Sequence, residues 1–257
     1  MREFMFFVFN FARSKTCIDS IITNDKMKHS LFLLLTLCFL SVHPLAAQQT
    51  KRQKLSATAQ SMAKQGFVNV LDYDSTIRVS LMYSRPDNFT GRVLYTDLRE
   101  AYLHPLAAKA LAQAQKELKR RHPNLSLIIY DAGRPMSVQQ KMWNVVKGTS
   151  KNIYVSNPAN GGGLHNYGFA VDISICNEHG DSIPMGTVVD YLGKMAHPEL
   201  EPTYLRQGKI TKQAVENRQL LREVMAVGGF KVLRTEWWHF NLKTRKQVKA
   251  EKRPYIK

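Results

Sequence analysis

The stretch GGGLHNYGFAVD, Gly161 to Asp172, decides how this chain is read. Three glycines run into His165, and seven residues later an apolar run delivers Asp172. The run from Phe169 to Ile175 predicts a short buried strand, and Gly168 can serve a turn between the histidine and that strand. A catalytic zinc site needs three protein ligands drawn from His, Asp, Glu and Cys, with one position left for water. His165 and Asp172 would be two of them. Alone, the pair reads equally as a surface loop followed by a half-buried strand, so the deciding residues must come from elsewhere.

One other stretch has the same character: TEWWHF, Thr235 to Phe240. His239 is a candidate third ligand, and Glu236, three residues earlier, a candidate base beside it. In a regular strand residues i and i+3 face opposite sides, so both reach one site only through a bend or bulge. The alternative is a core tryptophan pair, Trp237 and Trp238, with a salt-bridged glutamate. His104, His122, His179 and His197 lack such company and read as surface or helix-end residues.

The 257 residues, 44% of them hydrophobic, suffice for a proper core in one domain. From Met27 the chain reads MKHSLFLLLTLCFLSVHPLAAQQ, a basic start, an apolar run from Leu31 to Val42 and small residues at Ala46-Ala47. This is the layout of a secretory signal peptide cleaved after Ala47, and the apolar run is short for a membrane span. Residues 1–26 do not suit a signal peptide's start and read as an upstream extension, with translation starting at Met27. The expected mature domain is residues 48–257.

Residues 1–47 hold five of the 37 Lys/Arg and three of the 20 Asp/Glu, which leaves a net +15 on the remainder. The basic residues are dispersed, so they read as a solvated basic surface or as a patch for an anionic cell-wall partner. No nucleic-acid motif is present. Cys17 and Cys38 fall in the excluded segment, so Cys176 has no partner for an intramolecular disulfide and reads as a small packed hydrophobe.

Periodicity predicts an α/β alternation without internal repeats. Helices are expected at 55–65, from Leu98 to Arg121 with Pro105 starting or kinking it, from Ser137 to Val146, and from Lys212 to Val227, ended by Gly228-Gly229. Two β-rich runs lie between Phe67 and Tyr83, and strands are expected at Leu125–Tyr130, Phe169–Ile175, Phe230–Leu233 and Trp237–Leu242. The loop 147–163 is long enough to suggest function.

Five ordered segments carry a family resemblance. HxxGxAxD (His165 to Asp172) followed by EWWH (Glu236 to His239) resembles the metal centre of the D-alanyl-D-alanine dipeptidases, zinc peptidases similar to the vancomycin-resistance dipeptidase and related to D,D-carboxypeptidases. Tyr83 with Asp87-Asn88-Phe89-Thr90-Gly91, Asp131-Ala-Gly-Arg134-Pro135, and Pro184-Met185-Gly186-Thr187 ahead of Asp190 resemble three further segments of that family. The resemblance implies His165, Asp172 and His239 as ligands of one zinc ion, Glu236 as general base, and Arg134 as the cation facing the polarised carbonyl. It also implies Asp190, helped by Tyr83, as receptor for the substrate's free amino end. Each role suits its residue type: two imidazoles and one carboxylate leave zinc positively charged, a carboxylate can shuttle a proton, and a guanidinium stays charged beside an oxyanion.

Two positions depart from the family pattern. Gly163 stands where serine is common two residues before the first ligand, which touches substrate affinity or identity. Gly133 stands where an aromatic is common, from which a wider pocket wall is expected. The expected fold is α+β, a small and mostly antiparallel sheet flanked by helices, with a single zinc in a cleft. The expected function is hydrolysis of D-Ala-D-Ala or a similar D,D-dipeptide in the periplasm or cell envelope. The alternatives are a peptidoglycan stem-peptide carboxypeptidase or endopeptidase, and a cell-wall binding protein with an idle zinc site. No integral membrane span is expected after signal cleavage.

Overall fold

The apolar run after Gly168 becomes the strand Ala170–Cys176, buried along its whole length at the centre of a five-stranded sheet. The computed structural model describes residues 55–257; the expected signal peptide lies outside the described residues. In chain order the elements begin with helix α1 (Ala57–Lys64), strands β1 (Val68–Asn69), β2 (Arg78–Val79) and β3 (Tyr102–Leu103), and helix α2 (Pro105–Arg121). Strand β4 (Ser126–Asp131), helix α3 (Met136–Val146), strand β5 (Ala170–Cys176) and helices α4 (Glu201–Arg206) and α5 (Lys212–Val227) follow. Strands β6 (Lys231–Leu233) and β7 (Glu236–Asn241) and helix α6 (Arg245–Ala250) complete the chain.

The sheet order is β2-β4-β5-β7-β6, and only the β2–β4 pair is parallel. Strands β1 and β3 form a separate antiparallel pair. The α+β class with a mostly antiparallel sheet is therefore the observed one. Helix α2 starts at Pro105 rather than at Leu98. A proline at the first helical position loses no hydrogen bond, and its ring disfavours helical angles in the residue before it. His104 Nδ1 caps the helix by accepting from the Leu106 amide at 3.2 Å. Helices α4 and α6 were not expected; α6 falls in the basic C-terminal stretch and opens with a Thr244–Gln247 capping box.

Side-chain alternation divides the sheet between core and cleft. Leu127 pairs with Ile175 and Ile129 with Ile173, so these four share the core face and are fully buried. Asp172 and Ser174 lie on the opposite face of β5. The pairing then slips: Asp131, not Tyr130, is the partner of Asp172. A one-residue bulge turns the following side chain to the other face. Asp131 would otherwise sit among Leu127 and Ile129.

The C-terminus buttresses the same region. Ile256 is fully buried. Its amide donates to Asn166 O at 2.7 Å and its carbonyl accepts from Met136 N at 2.9 Å. A Cβ on Gly133 would meet Tyr102 O at 2.6 Å and Ile256 Cδ1 at 2.8 Å. Gly133 thus faces packed interior, and the expectation that it widens the pocket wall is corrected: the glycine permits close backbone approach instead.

Replacing Ile256 by alanine should cost about 2–5 kcal/mol of stability, the range for deleting a fully buried branched side chain. Thermal or urea denaturation of the variant should show that loss, whereas replacing the exposed Tyr255 should change stability little.

Candidate active site

His165 sits in a tight 3₁₀ turn, Leu164–Tyr167, that Gly168 ends in the left-handed conformation at φ 69°. A Cβ on Gly168 would lie 2.6 Å from the His104 amide nitrogen, so both backbone angle and space demand glycine there. The turn is stitched to the loop that carries Arg134. The Arg134 amide donates to His165 O at 3.0 Å, and Asn166 Nδ2 donates to Arg134 O at 2.8 Å. Asp172 comes from the middle of the sheet and pairs across β7 with His239.

The expected strand distortion is present. Leu233 pairs with Glu236, but the preceding residue of β6, Val232, pairs with Phe240. The intervening residues of β7 bulge, and Glu236 comes round to the His239 side, with Oε2 at 3.7 Å from His239 Nδ1. Trp237 and Trp238 are both buried and meet edge to face at 5.4 Å. Trp237 also donates from Nε1 to Thr187 Oγ1 at 2.8 Å. Both tryptophans pack in the core, and Trp238 also lines the cleft with Glu236.

His165, Asp172 and His239 converge. His165 Nε2 lies 3.3 Å from Asp172 Oδ1 and 3.2 Å from His239 Nδ1, and the last two atoms are 3.0 Å apart. His165 Nδ1 lies 2.7 Å from Ala132 O, and His239 Nε2 lies 3.0 Å from Asn241 Oδ1. Those oxygens only accept, so each outer nitrogen carries the proton and donates. The inner nitrogens then present bare lone pairs to each other and to a carboxylate. Such an arrangement suits a cation, which would relieve the repulsion. A tetrahedral ion bonded at about 2.0–2.2 Å sets its ligand atoms about 3.3–3.6 Å apart, close to the separations here. The three residues therefore fit a divalent metal through Nε2, Oδ1 and Nδ1.

The neighbouring charges are desolvated. Burial pushes the Glu236 carboxyl up to about 7, against the pull of His239. Asp131 Oδ2 accepts from Arg134 Nε at 2.8 Å and Nη2 at 2.6 Å, and Gln139 Oε1 accepts from Nη1 at 2.8 Å. A guanidinium has five N–H groups, so one on each terminal nitrogen remains outside these bonds. The Arg134 carbon stands 5.3 Å over the Tyr83 ring, and Nη2 is 3.6 Å from Asp172 Oδ2. Tyr83 donates to Asp190 Oδ1 at 3.0 Å, and the Phe89 amide donates to Oδ2 at 3.0 Å. Asp190 takes φ 70° and starts no helix. Burial pushes its carboxyl up to about 7 despite both hydrogen bonds. Apart from Asp131, which is fully buried behind Arg134, these residues line one cleft of about 590 Å³.

A family model described as D-ala-D-ala dipeptidase matches residues 63–255. The chain belongs to that family. It is 32% identical over 169 residues to the D-alanyl-D-alanine dipeptidase of Escherichia coli K12, covering 65% of this chain and 79% of the relative. The dipeptidase of Enterococcus faecium is 24% identical over 199 residues, covering 69% of this chain and 92% of the relative. That of Synechocystis is 29% identical over 162 residues, covering 52% and 66%. Membership in the dipeptidase family makes the chain a peptidase.

The geometry adds residues that sequence reading assigned no role. Asp131 and Gln139 aim Arg134, Ala132 O and Asn241 orient the two imidazoles, and the Phe89 amide holds Asp190. Asp131 stands three residues before Arg134, the spacing of an ion pair, but only the bulge in β4 reveals where it points. Asn88 accepts from the Thr90 amide and hydroxyl and donates to Arg85 O and Arg92 O, so these two hold a turn. Cys176 is buried, as expected. His104 and His122 cap the two ends of α2, and His179 is exposed.

Asn241→Leu should weaken metal binding about 10- to 100-fold, the usual effect of removing an outer hydrogen bond to a metal-binding histidine. Competition with a chromogenic chelator measures this directly, without any activity assay.

Proposed function

We propose that this protein is a zinc-dependent D,D-dipeptidase that hydrolyses D-Ala-D-Ala or a closely similar D,D-dipeptide in the cell envelope. The observation that carries the reading is the meeting of two bare imidazole nitrogens and the Asp172 carboxylate within 3.3 Å, with Glu236 at 3.7 Å. Zinc, when bound, would supply a Lewis acid that polarises the scissile carbonyl and brings water towards a pKa of about 7. Glu236 takes the proton of the attacking water and returns it to the leaving amine. Its carboxyl at about 7 is poised for both transfers near neutral pH. Arg134, fixed by Asp131 and Gln139, turns its free N–H groups to the oxygen on which negative charge develops.

Asp190 gives the site its reading of length. A dipeptide carries an ammonium close to the scissile bond, and a longer peptide carries a neutral amide in its place. Burial disfavours the Asp190 carboxylate, and an arriving ammonium offsets that penalty. Export is supported by the signal-peptide layout from Met27 to Ala47, and no helix among the described residues is long and apolar enough to cross a membrane. The direct test supplies residues 48–257 with zinc and offers D-Ala-D-Ala, L-Ala-D-Ala and a murein pentapeptide. Cleavage of D-Ala-D-Ala alone supports the proposal. Preference for the pentapeptide would replace it with a stem-peptide carboxypeptidase, and no cleavage at all would leave a wall-binding protein.

Glu236→Gln should retain zinc and lose about 10²–10⁴-fold in kcat, because an amide cannot accept the proton. Full activity with zinc bound would remove Glu236 from the base role. For Asp190, whose carboxyl can stay protonated beside a blocked substrate, the difference is the ammonium's hydrogen bond to a charged group, about 1.5–3 kcal/mol. At about 1.4 kcal/mol per factor of ten, kcat/KM should favour D-Ala-D-Ala over its N-acetyl form by roughly 10- to 150-fold. Asp190→Asn should shrink that ratio by slowing the free dipeptide, and equal rates for both substrates in the unaltered protein would sink the length-reading role.

A further inference from the structure

We infer that Ser156 is a substrate-binding residue of this site, its hydroxyl donating to the carboxylate end of the dipeptide; this rests on the dipeptidase reading above. The first support is the space beside Gly163. A Cβ on Gly163 would lie 3.0 Å from Ser156 Oγ and 3.3 Å from Ser156 Cβ. Ser156, entering from the long loop 147–163, thus stands against the position next to the His165 turn where a side chain at 163 would begin. The hydroxyl is half-buried and lines the cleft.

Ser156 Oγ has no hydrogen-bond partner among the described residues, whereas three other cleft hydroxyls do. Tyr83 donates to Asp190, Tyr154 pairs with His197 at 3.3 Å, and Thr244 donates to Gln247 Oε1 at 3.0 Å. The Ser156 backbone, in contrast, is pinned. Its carbonyl accepts from Gln139 Nε2 at 2.8 Å, and Gln139 in turn holds Arg134. Arg245 Nη2 ties the same loop to α6 through Asn160 O at 2.7 Å. A free hydroxyl on a fixed backbone is a preorganised donor.

Contacts along the cleft say which end of the substrate it meets. Asp190 touches Tyr83, Tyr83 lies under Arg134, Arg134 holds Gln139, and Gln139 holds Ser156 against Gly163. Arg134 stands between the two ends, with Nη2 3.6 Å from Asp172 Oδ2. A dipeptide whose ammonium meets Asp190 carries its carboxylate past the scissile bond, towards Ser156. A carboxylate only accepts hydrogen bonds, so it needs donors in exchange for lost water.

The test measures Ser156→Ala and a relocated hydroxyl, Ser156→Gly with Gly163→Ser. Gly163 is extended, φ −108° and ψ −179°, so serine fits its backbone without strain. Removing a hydrogen bond to a charged group should lower kcat/KM for D-Ala-D-Ala about 10- to 150-fold, mainly through KM. The loss should be markedly smaller for the C-terminal amide, D-alanyl-D-alaninamide, and the double variant should recover much of it. Calorimetric binding of D-Ala-D-Ala to Glu236→Gln should weaken by a similar factor when Ser156→Ala is added, with zinc content unchanged. A Ser156→Ala effect under about twofold in both readouts, or an equal loss for acid and amide, overturns the inference and leaves the dipeptidase reading intact. An unaltered protein that neither binds nor cleaves D-Ala-D-Ala overturns both.

Discussion

Two bare imidazole nitrogens and a carboxylate oxygen, each within 3.3 Å of the others, repel one another unless a cation lies among them. The rest of the structure answers that constraint. The atoms come from a 3₁₀ turn, a central strand and its neighbour, so only a completed sheet brings them together. Both outer ring nitrogens are committed to accepting oxygens, which fixes the tautomers and aims the lone pairs inward. The turn carrying His165 is bonded to the Arg134 loop, and the C-terminal Ile256 closes over both. Loosening any of these contacts would let the donors drift apart.

Two irregularities in the sheet make the site polar on one side of an apolar core. The bulge at Tyr130 turns Asp131 from the core face to the face of Asp172. The slip between β6 and β7 brings Glu236 round to His239. In regular strands both carboxylates would enter the hydrophobic layer, where an unpaired charge is costly. The same distortions give Arg134 its partner, so a buried guanidinium and a buried carboxylate stabilise each other at 2.6 Å.

Burial of these groups has a chemical result. Burial holds two carboxyls, Glu236 and Asp190, at about 7. One is suited to moving a proton, the other to welcoming an ammonium. They lie on the same cleft yet have different company: Glu236 faces His239, whereas Asp190 is bonded to Tyr83 and the Phe89 amide. Tyr83 is itself pushed well above its ordinary pKa by burial and by Asp190, so it stays a neutral donor. Position relative to the three convergent His165, Asp172 and His239 atoms, rather than acidity, separates the two proposed roles.

The sequence alone determined the α+β class, the long helices from their apolar stripes, the central strand after Gly168, and the His165, Asp172, His239 and Glu236 set. The helices and the strand follow from local physics, because periodicity marks buried faces; the four side chains stood out as a set only through the family resemblance, since His165 and Asp172 alone read equally as a loop and a strand. The i to i+3 spacing of Glu236 and His239 requires a bend or bulge if both are to reach one site. Only the tertiary structure decided that Gly133 faces the interior, that Asp131, Gln139 and Asn241 orient the chemistry, and that Ser156 stands beside Gly163. Those facts depend on register and on contacts between distant segments. A one-residue slip in a strand reverses which face a side chain takes, and no local pattern records it.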